Sequence, residues 1–212
     1  MTLLGIDTAA PVVGAALLVD GELRSWSQRI VRGSDAVLTP ALAELLQGVD
    51  HLDAIAVSVG PGAFTSLRVG VAHALGLALA RGCDIVPVSS LEARAASVDS
   101  SPVLALLDGR KGRAYAGFYA PELKGAELDV PPAEAIALAE GDWVAVGEGA
   151  LVWRAEVEAA GGRVVEDPTR SPAAALARLG AERIDQAIPA VAVKLRYLRA
   201  PDAKLPNNAL SR

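Results

Sequence analysis

Apolar residues along the first thirty positions fall into short runs that close on turn signals. An apolar strand over residues 3–7 ends in an acid, a second apolar strand covers 12–19, and a more polar third strand covers 22–30 beyond an Asp20-Gly21 turn. Short alternating runs joined by an Asp-Gly pair predict antiparallel hairpins. The period then lengthens. Val37, Leu38, Leu42, Leu45 and Leu46 recur at helical spacing and predict a helix over 34–47, with Ser34 or Asp35 as its cap and Pro40 within its first two turns. A buried strand over 54–59, a long helix over 65–80 capped by Thr65 or Ser66, a strand over 85–88 and a helix capped by Ser89 or Ser90 complete this half. Strands that alternate with helices predict parallel pairing.

The second half opens as the first does. Residues 103–108 form an apolar strand ending in Asp108, followed by a turn over 109–112 and a strand over 113–119. Asp7 and Asp108 stand 108 − 7 = 101 positions apart, each followed by a returning strand, so the chain reads as two related lobes meeting near residue 100. The join, 97–102, has linker composition. Beyond it the pattern predicts a short helix opened by Pro131-Pro132, a strand over 143–146, a helix from Gly147-Glu148-Gly149 to about 160, a strand near 164–165 and a helix over 172–179. The division expected is a lobe over 1–100, a second over 101–199, and a flexible tail over 200–212.

Composition narrows the class. Of 212 residues 52% are apolar and 21% charged, enough for one generous core or two small lobes and too apolar for a disordered chain. The run over 54–80 is broken by Gly60-Pro61-Gly62, Arg68 and His73, so no stretch reads as a membrane span. The start of the chain has no basic segment ahead of an apolar one, and the lone Cys83 cannot close an internal disulfide, so a cytoplasmic protein is expected, with Cys83 as a small core residue. Net charge is −5, and up to residue 100 ten acids face six basic residues, which leaves that half no electrostatic footprint for nucleic acid. The tail is the basic exception, where Lys194, Arg196, Arg199, Lys204 and Arg212 face Asp202 alone.

Two acid-ended strands meeting across a cleft are what a nucleotide phosphotransferase of the actin, sugar-kinase and Hsp70 class uses to hold a magnesium-bound phosphate. Asp7, Thr8, Asp108, Gly109, Gly147 and Gly149 are the residues such a site would draw on. The other reading of Asp7 and Asp108 is that each caps a strand end and its turn. Pro11 removes a donor from the first turn, whereas the turn over 108–112 is better supplied. Gly60-Pro61-Gly62 lacks the lysine and spacing of a phosphate loop and reads as a sharp turn launching a helix. That helix carries two rows of small residues, Gly70-Ala74-Ala78 and Ala72-Gly76-Ala80, which invite close approach by an internal helix or by another subunit. Two histidines, His51 and His73, form no paired metal motif, and His73 is expected to make a packing hydrogen bond.

The run Ser58-Val59-Gly60-Pro61-Gly62-Ala63-Phe64-Thr65-Ser66-Leu67-Arg68-Val69-Gly70 resembles the GPGSFTGLRIG segment of the bacterial TsaB (YeaZ) family, with Ala63 and Ser66 in place of Ser and Gly. Supporting likenesses lie at Leu4-Gly5-Ile6-Asp7-Thr8, Val88-Ser89-Ser90-Leu91-Glu92, the segment from Leu107 to Tyr115, and Tyr197-Leu198-Arg199. The resemblance implies an α/β, actin-like (ribonuclease-H-like) two-lobed fold with mixed sheets. It further implies a partner, without catalytic residues, metal or cofactor of its own, in making the threonylcarbamoyl-adenosine modification of tRNA. It would bind the catalytic subunit TsaD, with the ATPase TsaE as a further partner and tRNA reached through the complex. Its helices from Ser34 and Thr65 would form the contact, through Leu38, Leu42, Leu45, Ser66, Arg68, Gly70, His73, Ala74 and Leu77. Alone, the chain would pair with its own copy. The competing expectation is an enzyme, an actin-fold phosphotransferase or a metallopeptidase-like hydrolase. Family members usually carry His-Ser ahead of the first helix, where this chain has Gly33-Ser34.

Overall fold

The computed structural model describes residues 1–199 apart from Arg32, Glu166 and Pro168, so the tail expected over 200–212 lies outside the described residues. The chain runs β1 (Thr2–Asp7), β2 (Val12–Val19), β3 (Glu22–Arg29), α1 (Ser34–Leu45), β4 (Ala54–Ser58), α2 (Phe64–Arg81), β5 (Asp84–Val88) and α3 (Ser90–Ala95). It continues with β6 (Val103–Asp108), β7 (Ala114–Tyr119), β8 (Leu128–Val130), α4 (Pro132–Ile136), β9 (Val144–Val146), α5 (Glu148–Val152), α6 (Arg154–Ala159), β10 (Arg163–Val164) and α7 (Ala173–Glu182).

The repeat expected from the acid-ended strands is present in the topology. The first sheet is ordered β3-β2-β1-β4-β5, and the second, read from its β8 edge, is β8-β7-β6-β9-β10. In each, three antiparallel strands are followed by two parallel ones, the register running Asp7 to Gly14 in the first hairpin and Asp108 to Ala114 in the second. This is the actin-like arrangement.

Period-two alternation decides which helices each sheet face covers. Leu4 and Ile6 turn toward α1 and α2 with Ile55 and Val57, whereas Leu3 joins Ala54, Ala56, Val86 and Leu176 of α7 on the opposite face. Leu104 and Leu106 pack with Ala135, Ile136, Ala150 and Val157 of α4 to α6, and Val103, Ala105 and Leu107 pack with Leu91 and Ala95 of α3. The strands up to Val88 thus join one sheet and those from Val103 the other, but α3 packs against the second sheet and α7 against the first. The two helices that change sides form the layer between the sheets, where they also touch each other.

Local differences from the pattern have physical reasons. The cap of α1 is Gly33 in a left-handed conformation, φ 76°, and that of α2 is the extended Ala63; neither uses the expected side chain of Ser34, Asp35, Thr65 or Ser66. Ser89 does cap α3, its hydroxyl accepting from Leu91 N at 3.2 Å. The helix expected from 147 to 160 breaks at Trp153 (φ −109°, ψ 33°) into α5 and α6. The short edge strand β8 escapes the pattern because its three residues, Leu128 to Val130, are too few for their alternation to stand out. No described helix is long and apolar enough to cross a membrane.

The closest approach in the inner layer is at Gly5, where a Cβ would overlap Ala173 O and come within 2.8 Å of Ala177 N. Backbone cannot yield as a side-chain tip can. Gly5→Val is therefore expected to destabilise the fold by about 3 kcal/mol, measured by urea unfolding; a loss below about 1 kcal/mol would mean that α7 is free to shift.

Candidate functional site

A cavity of about 1050 Å³ opens between the lobes. Its walls are the turn after β1 (Ala9 to Pro11), the end of β3 with Val31, the start of α2, the turn after β6 (Asp108 to Lys111), α5, and the extended segment carrying Tyr197 and Arg199. Asp108 and Gly109 lie in this wall, whereas Asp7, Thr8, Gly147 and Gly149 do not.

Asp7 is fully buried and engaged on every side. The Ser58 hydroxyl donates to Oδ1, Arg94 Nη2 lies 3.2 Å from Oδ2, Ser171 Oγ is 3.4 Å from Oδ2, and Ala9 N is 3.4 Å from Oδ1. Arg94 is itself buried and also donates to Ser90 O at 2.8 Å. Thr8, equally buried, donates to Ser66 O at 2.7 Å. Asp108 is tied by its own turn, accepting from Arg110 N at 2.8 Å and Arg110 Nη1 at 3.0 Å. The strand-end reading is therefore the one both acids satisfy. At Gly147 a Cβ would overlap Leu106 O, and at Gly149 it would come within 2.9 Å of Leu106 C, so these glycines seat α5 tightly on β6 and do not border an open base site.

The two turns that would clasp a phosphate turn several of their donors inward. Ala9 N lies 3.4 Å from Asp7 Oδ1, Gly109 N donates to Arg113 O (2.8 Å), Arg110 N to Asp108 Oδ1 (2.8 Å) and Arg113 N to Arg110 O (3.1 Å), and Pro11 has no N–H to give. A phosphate nest needs several converging unpaired backbone N–H groups. What the cleft does present is side chains: Arg29, Arg110, Lys111 and Arg199 against Asp108 and Glu148, with the Phe64 and Tyr197 rings 5.2 Å apart at its rim.

A segment beyond α7 straps the lobes together. Ile188 bridges to Ile85 at the sheet edge, Arg196 N donates to Val59 O at 2.7 Å, and Arg196 Nη1 lies 2.8 Å from Glu127 Oε2. Buried Glu127 also accepts from the Ser89 hydroxyl and from Tyr119 OH at 2.7 Å. Burial, with the Glu127 carboxylate beside it, pushes the Tyr119 phenol well above its ordinary range, keeping it a proton donor. Arg199 closes the strap on the second lobe with two 2.8 Å bonds to Asp129 and one of 2.9 Å to Gly109 O. Arg113 Nε donates to the same carboxylate at 2.8 Å. Among the described residues no group of three or more His, Cys, Asp or Glu stands together as a metal-ion site.

The family model described as TsaD: tRNA N6-adenosine threonylcarbamoyltransferase matches residues 28–140. YeaZ from Pseudomonas aeruginosa superimposes with a TM-score of 0.79 at 30% identity, over 93% of this chain and 99% of that one. The chain belongs to the TsaB/YeaZ family. The Bacillus subtilis protein named tRNA threonylcarbamoyladenosine biosynthesis protein TsaB is 34% identical over 152 residues, 68% of this chain and 65% of the relative. The protein of that name from Haemophilus influenzae is 32% identical over 123 residues, so the match spans about half the length of each, 54% and 52%.

The segment that carried the TsaB resemblance now has a physical account. A Cβ at Gly60 (φ 115°) would overlap Arg196 O, at Gly62 it would come within 2.5 Å of Ala9 O, and at Gly70 it would overlap the Thr8 side chain. The glycines let α2 lie flush against the first hairpin turn and the strap. This corrects the expected contact surface. Gly70, Ala74 and Ala78 face inward, and Leu38, Leu42 and Leu45 are buried in the core beneath α1 and α2, so none of them is presented to a partner. Leu77 packs partly against the same core, and the Ser66 carbonyl is taken by Thr8. Arg68 is exposed, its guanidinium 3.8 Å from the Phe64 ring centroid and its Nε 3.3 Å from Tyr197 OH. His73 is half-buried, with Nδ1 2.8 Å from Val69 O and Nε2 2.9 Å from Thr39 Oγ1, so it ties α2 to α1. The outward row is Ala72, Gly76 and Ala80, with Leu79 beside it.

Residues that the pattern did not single out are Arg94, Glu127, Phe64, Val31 and Val152. Only Phe64 stood within a quoted motif; the others come together through tertiary contacts.

Two predictions follow from these ion pairs. Asp7→Ala strands a buried guanidinium and is expected to cost about 3–5 kcal/mol, with Asp7→Ala/Arg94→Met costing less than the sum of the single changes; additive losses in denaturant unfolding would dissolve the coupling. Arg199 holds the Asp129 carboxyl below the ordinary carboxylate range, helped by Arg113 and opposed by burial. Such a group contributes stability that is complete above its unfolded value and lost as pH falls through the depressed folded value. The melting-temperature difference between the native chain and Arg199→Met should be full near neutral pH and shrink below about pH 4. A difference constant across that range would remove Asp129 from the account.

Proposed function

We propose that this chain is a non-catalytic subunit of the cytoplasmic machinery that makes the threonylcarbamoyl-adenosine modification of tRNA, and that it works by holding the catalytic subunit TsaD, with TsaE as the ATPase partner. The names of its relatives support the pathway. The docking surface is supported by one observation: the outer face of the α1–α2 pair is built mainly from small, exposed side chains, of which Thr39 also bonds to His73. Ala72, Gly76 and Ala80 on α2 stand exposed beside Leu79, which is 68% accessible, and Ala36, Thr39, Pro40 and Ala43 are exposed on α1. Gly76 has nothing within 4 Å of where its Cβ would stand. Helices with small residues at i, i+4 spacing accept another helix at close range, and a bulky apolar side chain left in water beside them gains by being covered.

The proposed role asks no reaction of this chain, in keeping with a buried Asp7 held by Ser58, Arg94 and Ser171 and with turns that direct Gly109 N and Arg110 N inward. A second copy would meet the same face when TsaD is absent, giving a two-fold pair.

Gly76→Arg and Leu79→Glu are each expected to weaken TsaD binding at least about tenfold, or 1.4 kcal/mol, in calorimetric titration, while leaving the unfolding temperature close to that of the unaltered chain. Unchanged affinity in both would remove the α1–α2 face from the interface. Reconstituted tRNA modification by TsaD and TsaE should fall when this chain is omitted; modification that proceeds equally well without it would overturn the functional assignment itself.

A further inference from the structure

The cleft between the lobes is more than a remnant of the fold. Among exposed large apolar residues, Val31 (97% accessible), Val152 (57%), Tyr197 (39%) and Phe64 (38%) all line this one cavity, although they come from four separated parts of the chain. Apolar side chains gathered at a concave site mark a binding surface far better than the same residues scattered singly.

Charge gives the occupant's character. The whole chain carries −5, yet the cleft is lined by four basic residues and two acidic ones; counting Asp129, the partner of Arg199, the balance is four to three, still positive on an acidic protein. The N-terminus of the 18-residue helix α2 opens onto the same space and adds its partial positive charge. The occupant is thus anionic and partly apolar.

A nucleotide has that description too, but the backbone argues for carboxylates. In the two hairpin turns facing the cleft, Ala9 N turns to the Asp7 carboxylate, Gly109 N to Arg113 O and Arg110 N to the Asp108 carboxylate, and Pro11 has none. Phosphate recognition in such a cleft draws on converging free N–H groups, whereas carboxylates on a peptide are met by long basic side chains at the rim, with apolar anchors between them. A space of about 1050 Å³ spanning both lobes suits an extended segment with two or three anchoring side chains.

We infer that the cleft is a docking groove for an acidic peptide segment with bulky apolar anchors, presented by a partner protein. Val31, Val152 and the Phe64–Tyr197 pair take the anchors, and Arg110 and Lys111 meet the carboxylates. This surface is separate from the outer face of α1 and α2 and does not rest on TsaD binding.

The test is selection from a displayed library of random peptides of roughly a dozen residues on the full chain, followed by titration of the recovered peptides against Val31→Asp/Val152→Asp and Arg110→Glu/Lys111→Glu variants. All four side chains are exposed, and matched thermal unfolding curves will establish that both variants are folded. The expected outcome is enrichment of Asp or Glu together with Leu, Phe or Trp. Binding should fall at least about tenfold in each variant and weaken with salt. Recovered peptides of neutral or basic character, no enrichment at all, or equal binding to the variants would overturn the inference. So would ATP with magnesium binding more tightly than the peptides and displacing them, since the groove would then be a nucleotide site. The Leu79→Glu chain is expected to bind the peptides unchanged, so loss of the α1–α2 interface and loss of this groove are read separately.

Discussion

A buried carboxylate, Asp7, sits where four separated pieces of the chain must meet. It ends β1, receives Ser58 from the end of β4, Arg94 from α3 and Ser171 from just ahead of α7. Burying a lone charge costs several kcal/mol, so Asp7 demands Arg94, and Arg94 demands Asp7. Because Arg94 rides on a helix that packs against the second sheet, meeting that demand fixes the inner layer and with it the distance between the lobes. Gly5 and Gly147 finish the fit by letting α7 and α5 approach strand backbone that any side chain would hold off.

The same arrangement bears on the proposed role, in which an actin-like fold serves to hold other molecules. The strand-end acid Asp7 is spent on Ser58, Arg94 and Ser171, and the first hairpin turn is bonded to the start of α2 through Ala9 and Thr8. Space remains between the lobes, but its walls are long basic side chains and exposed rings rather than backbone donors. The strap beyond α7 contributes Tyr197 and Arg199 to those walls while clasping Glu127 and Asp129, so the cleft is shaped by the very contacts that hold the lobes at one separation.

In the proposed reading, function divides between two surfaces. The outer face of α1 and α2 is mostly small in side chain, with Asp35 and Glu44 exposed on α1 beside it, which suits a helical partner. The cleft is concave, basic and edged with apolar side chains, which suits an extended acidic one. α2 borders both, since its start lines the cleft and its middle forms the outer face, and His73 fixes its position against α1 through Thr39.

Much of this was written in the order of residues alone. Two acid-ended apolar strands 101 positions apart, each with a returning partner, determined a duplicated sheet, because alternation of period two and turn residues are local properties that survive in any tertiary setting. The Gly60 to Gly70 segment likewise determined the family. Which way a helix faces was decided only in three dimensions. Rows Gly70-Ala74-Ala78 and Ala72-Gly76-Ala80 are equally small, so periodicity gives α2 no preferred side; Thr8, just beyond β1, packs on Gly70 and the core takes Ala74 and Ala78, which leaves the second row in water. Leu38, Leu42 and Leu45 went inward for the same reason, since an apolar stripe suits a core and an interface alike until the sheet beneath it is in place. The pairing of Asp7 with Arg94, 87 residues on, and the gathering of Val31, Phe64, Val152 and Tyr197 around one cleft leave no local trace, because they depend on contacts that exist only once both lobes have closed on α3 and α7.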